Sequence, residues 1–289
     1  MGSGFEQVTE VAGYRLTDCI GSGGMGEVYK AYNESLGRYA AVKVLFQEAF
    51  ADRFKNEAYI QSSVNHPNIA MLYEYAASGN KHCIVMEYVE GENLDTLLHR
   101  KGKLSSDETE NIVRQIVSAL AYLHKKDIMH RDIKPQNFKV QADGTVKMLD
   151  FGIAKHKYSP KLTQVGFVVG TMEYLAPEQF QQQASIKSDI WALAVMTYEL
   201  LTGYMPFESP NPVTLQSKIR KGDFTDPRIL IPDISPRLLT VLDRCIKVNP
   251  DNRISASGIE SLLGKKKQTT SVNITSGFKR PSNKLLIGI

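Results

Sequence analysis

The hydrophobic pattern changes period at Gly91, and no other feature of the chain constrains its fold as much. Before that point apolar residues alternate along short runs at Tyr14-Arg15-Leu16, Val28–Tyr32 and Tyr39–Leu45. Asn33-Glu34-Ser35-Leu36-Gly37 joins the last two as a hairpin turn. One helical stretch follows over 49–63, with Phe50, Phe54 and Ala58 on one side and Asn65-His66-Pro67 closing it. Two more strands are expected at Met71–Tyr75 and Cys83–Tyr88. Beyond Gly91 the period is helical. Ser105-Ser106-Asp107-Glu108 is a capping box, opening a helix with Ile112, Val113, Ile116, Val117, Leu120 and Leu123 on one face. A strongly apolar helix is expected from Lys187 to Leu201, stopped by Gly203, and another over Pro236–Val248, ended by Asn249-Pro250. The expected class is α+β, with a small β-rich lobe carrying one main helix and a larger, mostly helical lobe.

The 289 residues are enough for two such lobes sharing a cleft. Residues 1–13 read as an N-terminal extension, 14–88 as the small lobe, 89–263 as the large lobe and 264–289 as a flexible tail. Met1-Gly2-Ser3-Gly4 looks like a cloning scar, and Glu6 breaks the myristoylation pattern. The net charge of +4 owes part of its excess to Lys265-Lys266-Lys267 and Lys279-Arg280. No aromatic-interleaved basic stripe accompanies them, so nucleic acid is not an expected partner. Three distant cysteines, an odd number, argue against a disulfide framework and for a reducing, cytoplasmic compartment. His82-Cys83 lacks a second ligand pair at metal spacing and reads as a buried thiol beside a surface imidazole. No run approaches the ~20 apolar residues of a membrane span. Even so, the basic Lys279–Lys284 leads into apolar Leu285–Ile289, as where a cytoplasmic domain meets a single membrane helix. A membrane tether beyond residue 289 and an apolar tail docking on its own domain are the two readings.

Chemistry concentrates in four places. Gly21-Ser22-Gly23-Gly24-Met25-Gly26-Glu27-Val28 fits G-x-G-x-x-G-x-V, whose glycines let backbone N–H groups approach phosphates. A dinucleotide site would need a helix after the glycines, whereas a hairpin follows. Lys43, inside an apolar strand, must point at something polar, and phosphates under the glycine-rich segment are in reach. Its expected partner is Glu57, because Glu48 and Asp52 lie too near the helix start. In His130-Arg131-Asp132-Ile133-Lys134-Pro135-Gln136-Asn137, Asp132 can orient an incoming hydroxyl and Lys134 can neutralise a transferring phosphate. Asn137 and Asp150, the latter in Asp150-Phe151-Gly152, offer hard oxygen ligands for Mg²⁺, with Mn²⁺ as the alternative.

Taken together, these motifs resemble a eukaryotic-like (Hanks-type) Ser/Thr protein kinase, most similar to the receptor-type kinases of bacteria, over residues 14–263. The resemblance implies the bilobal protein-kinase fold, with ATP in the cleft and transfer of its γ-phosphate to protein Ser/Thr hydroxyls. It implies that Glu87-Tyr88-Val89 is the hinge that binds adenine, that Met86 is the gatekeeper, and that Val28 and Ala41 also line the nucleotide site. Ala176-Pro177-Glu178 matches the end of the activation segment, and Arg253 the arginine that pairs with Glu178. Asp189 and Trp191 match the D-x-W of the long buried helix. Lys134, and Gly170-Thr171 before Tyr174, resemble Ser/Thr rather than tyrosine kinases, and Thr171 would serve Asp132 and Lys134 through hydrogen bonds. Arg131 resembles that of kinases switched by phosphorylation of the activation segment, with Thr163 the expected autophosphorylation site and Ser159 the second choice.

Three positions depart from the family pattern. Lys139 stands where an apolar residue forms the floor of the adenine site, which strains nucleotide binding unless its stem packs there and its head leaves. Gln61, one turn after Glu57, replaces an apolar residue, so the helix is expected to dock poorly until a partner or homodimer forms. Ala194 replaces a glycine. Lys139 and Gln61 are also the only support for the alternative, a nucleotide-binding pseudokinase scaffold. A small-molecule phosphotransferase is disfavoured by the long activation segment, which serves protein substrates.

Overall fold

The computed structural model describes residues 9–23, 26–45, 48–78, 81–149 and 172–264. The tail expectations fall on residues 265–289, and those on Met1-Gly2-Ser3-Gly4 and Glu6 on residues 1–8, all outside the described set.

Six antiparallel strands build the small lobe: β1 (Glu10–Val11), β2 (Tyr14–Gly23), β3 (Gly26–Asn33), β4 (Arg38–Leu45), β5 (Leu72–Ser78) and β6 (Lys81–Glu87), in the order β1-β2-β3-β4-β6-β5. The sheet starts earlier than expected: Val11 pairs with Tyr14 and is buried in the core. Alternation along β4 sets the two faces of the sheet. Ala40, Val42 and Val44 join Tyr14, Ala31 and Val85 in one apolar cluster. Ala41 and Leu45 face the other way, onto Phe54 and Ala58 of α1 (Ala51–Ser62). Lys43 shares that second parity. The period of the strand therefore turns it toward the helix.

The large lobe is organised around α4 (Ile186–Thr202), which is buried along nearly its whole length. Its Ser185 N-cap and the left-handed Gly203 (φ +77°) close its ends. A Cβ on Gly203 would lie 2.3 Å from the Gly102 carbonyl oxygen, so the cap is fixed by packing as well as by conformation. Against α4 lie α3 (Ser106–His124), whose Ser105–Glu108 capping box is formed in both directions, and α7 (Pro236–Cys245). α7 stops short of the expected Val248. The carbonyls of Lys247 and Val248 accept from Arg253 at 2.7 and 3.1 Å, which draws the chain out of the helix. Helices α2 (Leu94–Lys101), α5 (Pro212–Lys221), α6 (Pro227–Leu230) and α8 (Ala256–Leu263) complete the lobe, with a small sheet of β7 (Glu92–Asn93), β8 (Phe138–Val140) and β9 (Val146–Met148) beneath the cleft. Among the described residues no helix is long and apolar enough to cross a membrane.

Candidate active site

A cleft of about 260 Å³ separates the lobes. Its upper wall is Gly21, Val28, Ala41 and Lys43 from the sheet; its back is Met86, Glu87, Tyr88 and Val89; its floor is Asn137, Lys139 and Leu149. Ser22 is not among its lining residues, and Gly24 and Met25 lie outside the described residues. Gly26 has a steric role of its own. A Cβ there would stand 1.9 Å from the Val44 carbonyl oxygen, so only glycine lets β3 pass β4 at this point.

Lys43 and Glu57 meet under the sheet. The lysine Nζ is 2.9 Å from Glu57 Oε1, and the glutamate is almost fully buried. Gln61, expected to undock the helix, does the opposite. It is buried and donates to the Ala70 carbonyl at 3.1 Å, so its polarity is satisfied inside the interface and α1 is docked. Ala194 is fully buried in the core.

Across the cleft the segment between α3 and β8 gathers three expected residues. Asn137 Nδ2 donates to Asp132 Oδ2 at 2.8 Å and to its carbonyl at 2.6 Å, and Lys134 Nζ stands 3.3 Å from Asp132 Oδ2. The amide nitrogen of Asn137 is thus committed, which leaves its Oδ1 without a partner among the described residues. That is the arrangement a hard cation would use. The N–H of Leu149 donates to the Asn137 carbonyl at 2.9 Å across the start of the β8–β9 hairpin. Asp150, Phe151 and Gly152 come next and lie outside the described residues, as do Ser159, Thr163, Gly170 and Thr171.

The backbone beneath Asp132 is held from α4. Asp189 accepts from the His130 and Arg131 N–H groups at 2.9 and 2.8 Å, and its Oδ2 lies 3.0 Å from His124 Nε2. Arg131 has φ +71°, a left-handed conformation that a side chain resists. Glu178 and Arg253 form a buried, two-pronged pair at 2.7 and 2.8 Å, and Ser188 donates to the same carboxylate at 2.7 Å. Burial pushes the Glu178 carboxyl up, but the bonds from Arg253 and Ser188 outweigh it and hold it below the usual carboxylate range.

Two cleft residues carry surprises. Lys139 neither leaves the cleft nor stays unpaired: its Nζ donates to the Val89 carbonyl at 3.0 Å, and burial holds its pKa below that of an ordinary lysine. Asn93, unnoticed in the sequence, stands at the N-cap of α2 without making a cap bond, and its buried Oδ1 lacks a partner among the described residues where it lines the cleft. An N-cap residue reads as structural from sequence, so no signal marked it as a site residue.

The whole of this arrangement lies within residues 14–263, which match the family model described as protein kinase domain. The chain belongs to the protein kinase family. The kinase is 38% identical over 246 residues to a probable serine/threonine-protein kinase of Clostridium acetobutylicum (83% of this chain, 37% of that protein). It is 38% identical over 262 residues to the serine/threonine-protein kinase PknA of Mycobacterium tuberculosis (87% and 60%), and 37% identical over 246 residues to PrkC of Bacillus subtilis (83% and 38%). It therefore spans between 37% and 60% of the length of these relatives. A crystal structure of Rad53 residues 1–466 in complex with AMP-PNP superposes with a TM-score of 0.76 at 28% identity, covering 87% of this kinase and 66% of that chain. The two-lobed α+β architecture is thus that of the protein kinase fold.

Proposed function

We propose that this chain is a Ser/Thr protein kinase that moves the γ-phosphate of ATP to hydroxyls of protein substrates. One observation carries the reading: Lys43, paired with Glu57, and Asn137, bonded to Asp132 beside Lys134, line opposite walls of one cleft. Phosphoryl transfer needs positioning and charge neutralisation more than covalent help, and these groups supply both. Lys43, held by Glu57, binds the nucleotide's phosphates. Asp132 accepts the hydrogen bond of the substrate hydroxyl and takes its proton as that oxygen bonds to the γ-phosphorus and the bond to ADP breaks. Lys134 steadies the charge on the moving group. The free Oδ1 of Asn137 and the carboxylate of Asp150 would hold Mg²⁺, which when bound neutralises the phosphates. The Val89 N–H and the Asn93 Oδ1 remain for the base and a ribose hydroxyl. With Gln61 and Lys139 both paired inside the fold, neither departure favours a scaffold without activity.

Labelled ATP with Mg²⁺ and a generic basic protein substrate tests the reading, wild type beside Asp132→Asn. Label on serine and threonine of the wild-type reaction, lost by at least about a hundredfold in the variant, supports it. Equal labelling in both would refute it. Mapping phosphate in the same wild-type sample tests Thr163 as the autophosphorylation site, which an unlabelled Thr163 would rule out.

A further inference from the structure

We propose that Lys139 makes this cleft discriminate against purines bearing an amino group at position 2, guanine nucleotides among them. The inference rests on the reading of the cleft as a purine nucleotide site. Val89, at the back of the cleft, presents two backbone groups in different states. It is buried, and its N–H has no acceptor among the described residues. Its carbonyl is taken by the Lys139 ammonium at 3.0 Å. A buried, unpaired N–H is a donor that a ligand can satisfy, and a purine ring nitrogen does so.

The neighbouring carbonyl then decides what the purine can carry beside that nitrogen. N1 and C2 are adjacent ring atoms, and the N–H and C=O belong to one residue, so position 2 comes to lie beside the occupied carbonyl. A hydrogen on C2 requires no partner there. An amino group does, and it finds an ammonium already in place, donor against donor. Guanine fares no better. Its N1 carries a hydrogen, and docking through O6 instead turns that N1–H and the 2-amino group toward the same carbonyl.

Two of the carboxylates in the segment around Val89 are already engaged, Glu87 by Lys147 at 2.8 Å and Glu92 by Arg100 at 2.7 Å. Lys139 is also fixed in register on β8, opposite Lys147 on β9 and Asn93 on β7, and its head lies 5.6 Å from the centre of the Tyr88 ring. The strand holds its stem and the hinge holds its head. An apolar residue at this position would leave the Val89 carbonyl open to a 2-amino group.

Calorimetric titration with ADP, 2-amino-ADP and GDP in Mg²⁺ tests this without turnover, on wild type and Lys139→Met. The expected result for wild type is binding of 2-amino-ADP weaker than ADP by about tenfold or more, the effect of one unpaired buried donor. In Lys139→Met that ratio should fall toward one or invert. Equal affinity of wild type for ADP and 2-amino-ADP overturns the inference even if the variant fails to fold. So does an unchanged ratio in a folded variant. No binding of ADP to wild type would sink the nucleotide reading itself, an outcome distinct from ADP binding without discrimination.

Discussion

At the scale of single residues, the chain places strain and its restraint together. Arg131 adopts a left-handed backbone that costs about 1–2 kcal/mol for a residue with a side chain. Asp189 offsets that cost by accepting from the His130 and Arg131 N–H groups, which lead into the strained Cα, while lying against His124. Hydrogen bonds to an ionised acceptor are worth about 1.5–3 kcal/mol each, so the clamp exceeds the strain. Asp189→Asn keeps the shape but removes the charge and replaces one acceptor oxygen with an NH₂ donor. The expected result is a loss of about 2–3 kcal/mol in urea unfolding, with kcat falling more than KM for ATP changes. An unfolding midpoint equal to wild type would show that Asp189 does not restrain this backbone. His130, Arg131, Asp132, Lys134 and Asn137 were legible as a set, because their chemistry is local in sequence. Asn93 and the destination of the Lys139 head were not, since each depends on an atom contributed from a distant segment.

Elements long enough to show a period were legible; short ones were not. α3 and α4 carry many apolar positions each, and their caps, Ser105 and Gly203, fall where the sequence puts them. β7, β8 and β9 have two or three residues apiece, too few for alternation to register. α5 is a different case, marked not by a period but by Asn211-Pro212 and Gly222, which bracket it as cap, first turn and terminator. α7 ends early because Arg253, which lies outside the helix, captures its trailing carbonyls. The glycine-rich segment adds a distinction that motif reading misses. Gly21 has only ordinary contact in store for a Cβ, 3.8 Å from Val28, whereas at Gly26 a Cβ would meet the Val44 carbonyl at 1.9 Å. Gly26→Ala must therefore part β3 from β4 and should destabilise the kinase by at least about 2 kcal/mol in thermal unfolding. Gly21→Ala should shift stability by less. Indistinguishable melting of the two variants would mean that the strand crossing is not what requires glycine at Gly26.

Over the whole molecule, three segments distant in sequence meet at one guanidinium. Arg253 donates to both oxygens of Glu178, to the Lys187 carbonyl at the start of α4, and to the Lys247 and Val248 carbonyls after α7. Its side chain is fully buried, and every nitrogen of the fork has an acceptor. Such a pair adds little over an apolar replacement of both partners, but removing one partner strands a charge in the core at a cost of about 3–5 kcal/mol. Arg253→Met should lose that much at neutral pH. The loss should depend on pH in a definite direction. In the native kinase the Glu178 carboxyl titrates below its ordinary 4.5, so its contribution is fully present above 4.5 and fades as pH falls through the native value. In Arg253→Met the arginine's bonds and charge no longer oppose burial, leaving only Ser188 and a backbone bond, so the Glu178 pKa rises from its native value. The stranded carboxyl then takes up a proton and sheds its penalty at a higher pH than in the native kinase. Urea unfolding of the two proteins should therefore give stabilities that differ most near neutrality and converge in acid. A gap that stayed constant, or widened, on acidification would show that the lost packing of the arginine, not the ion pair, ties these three segments together.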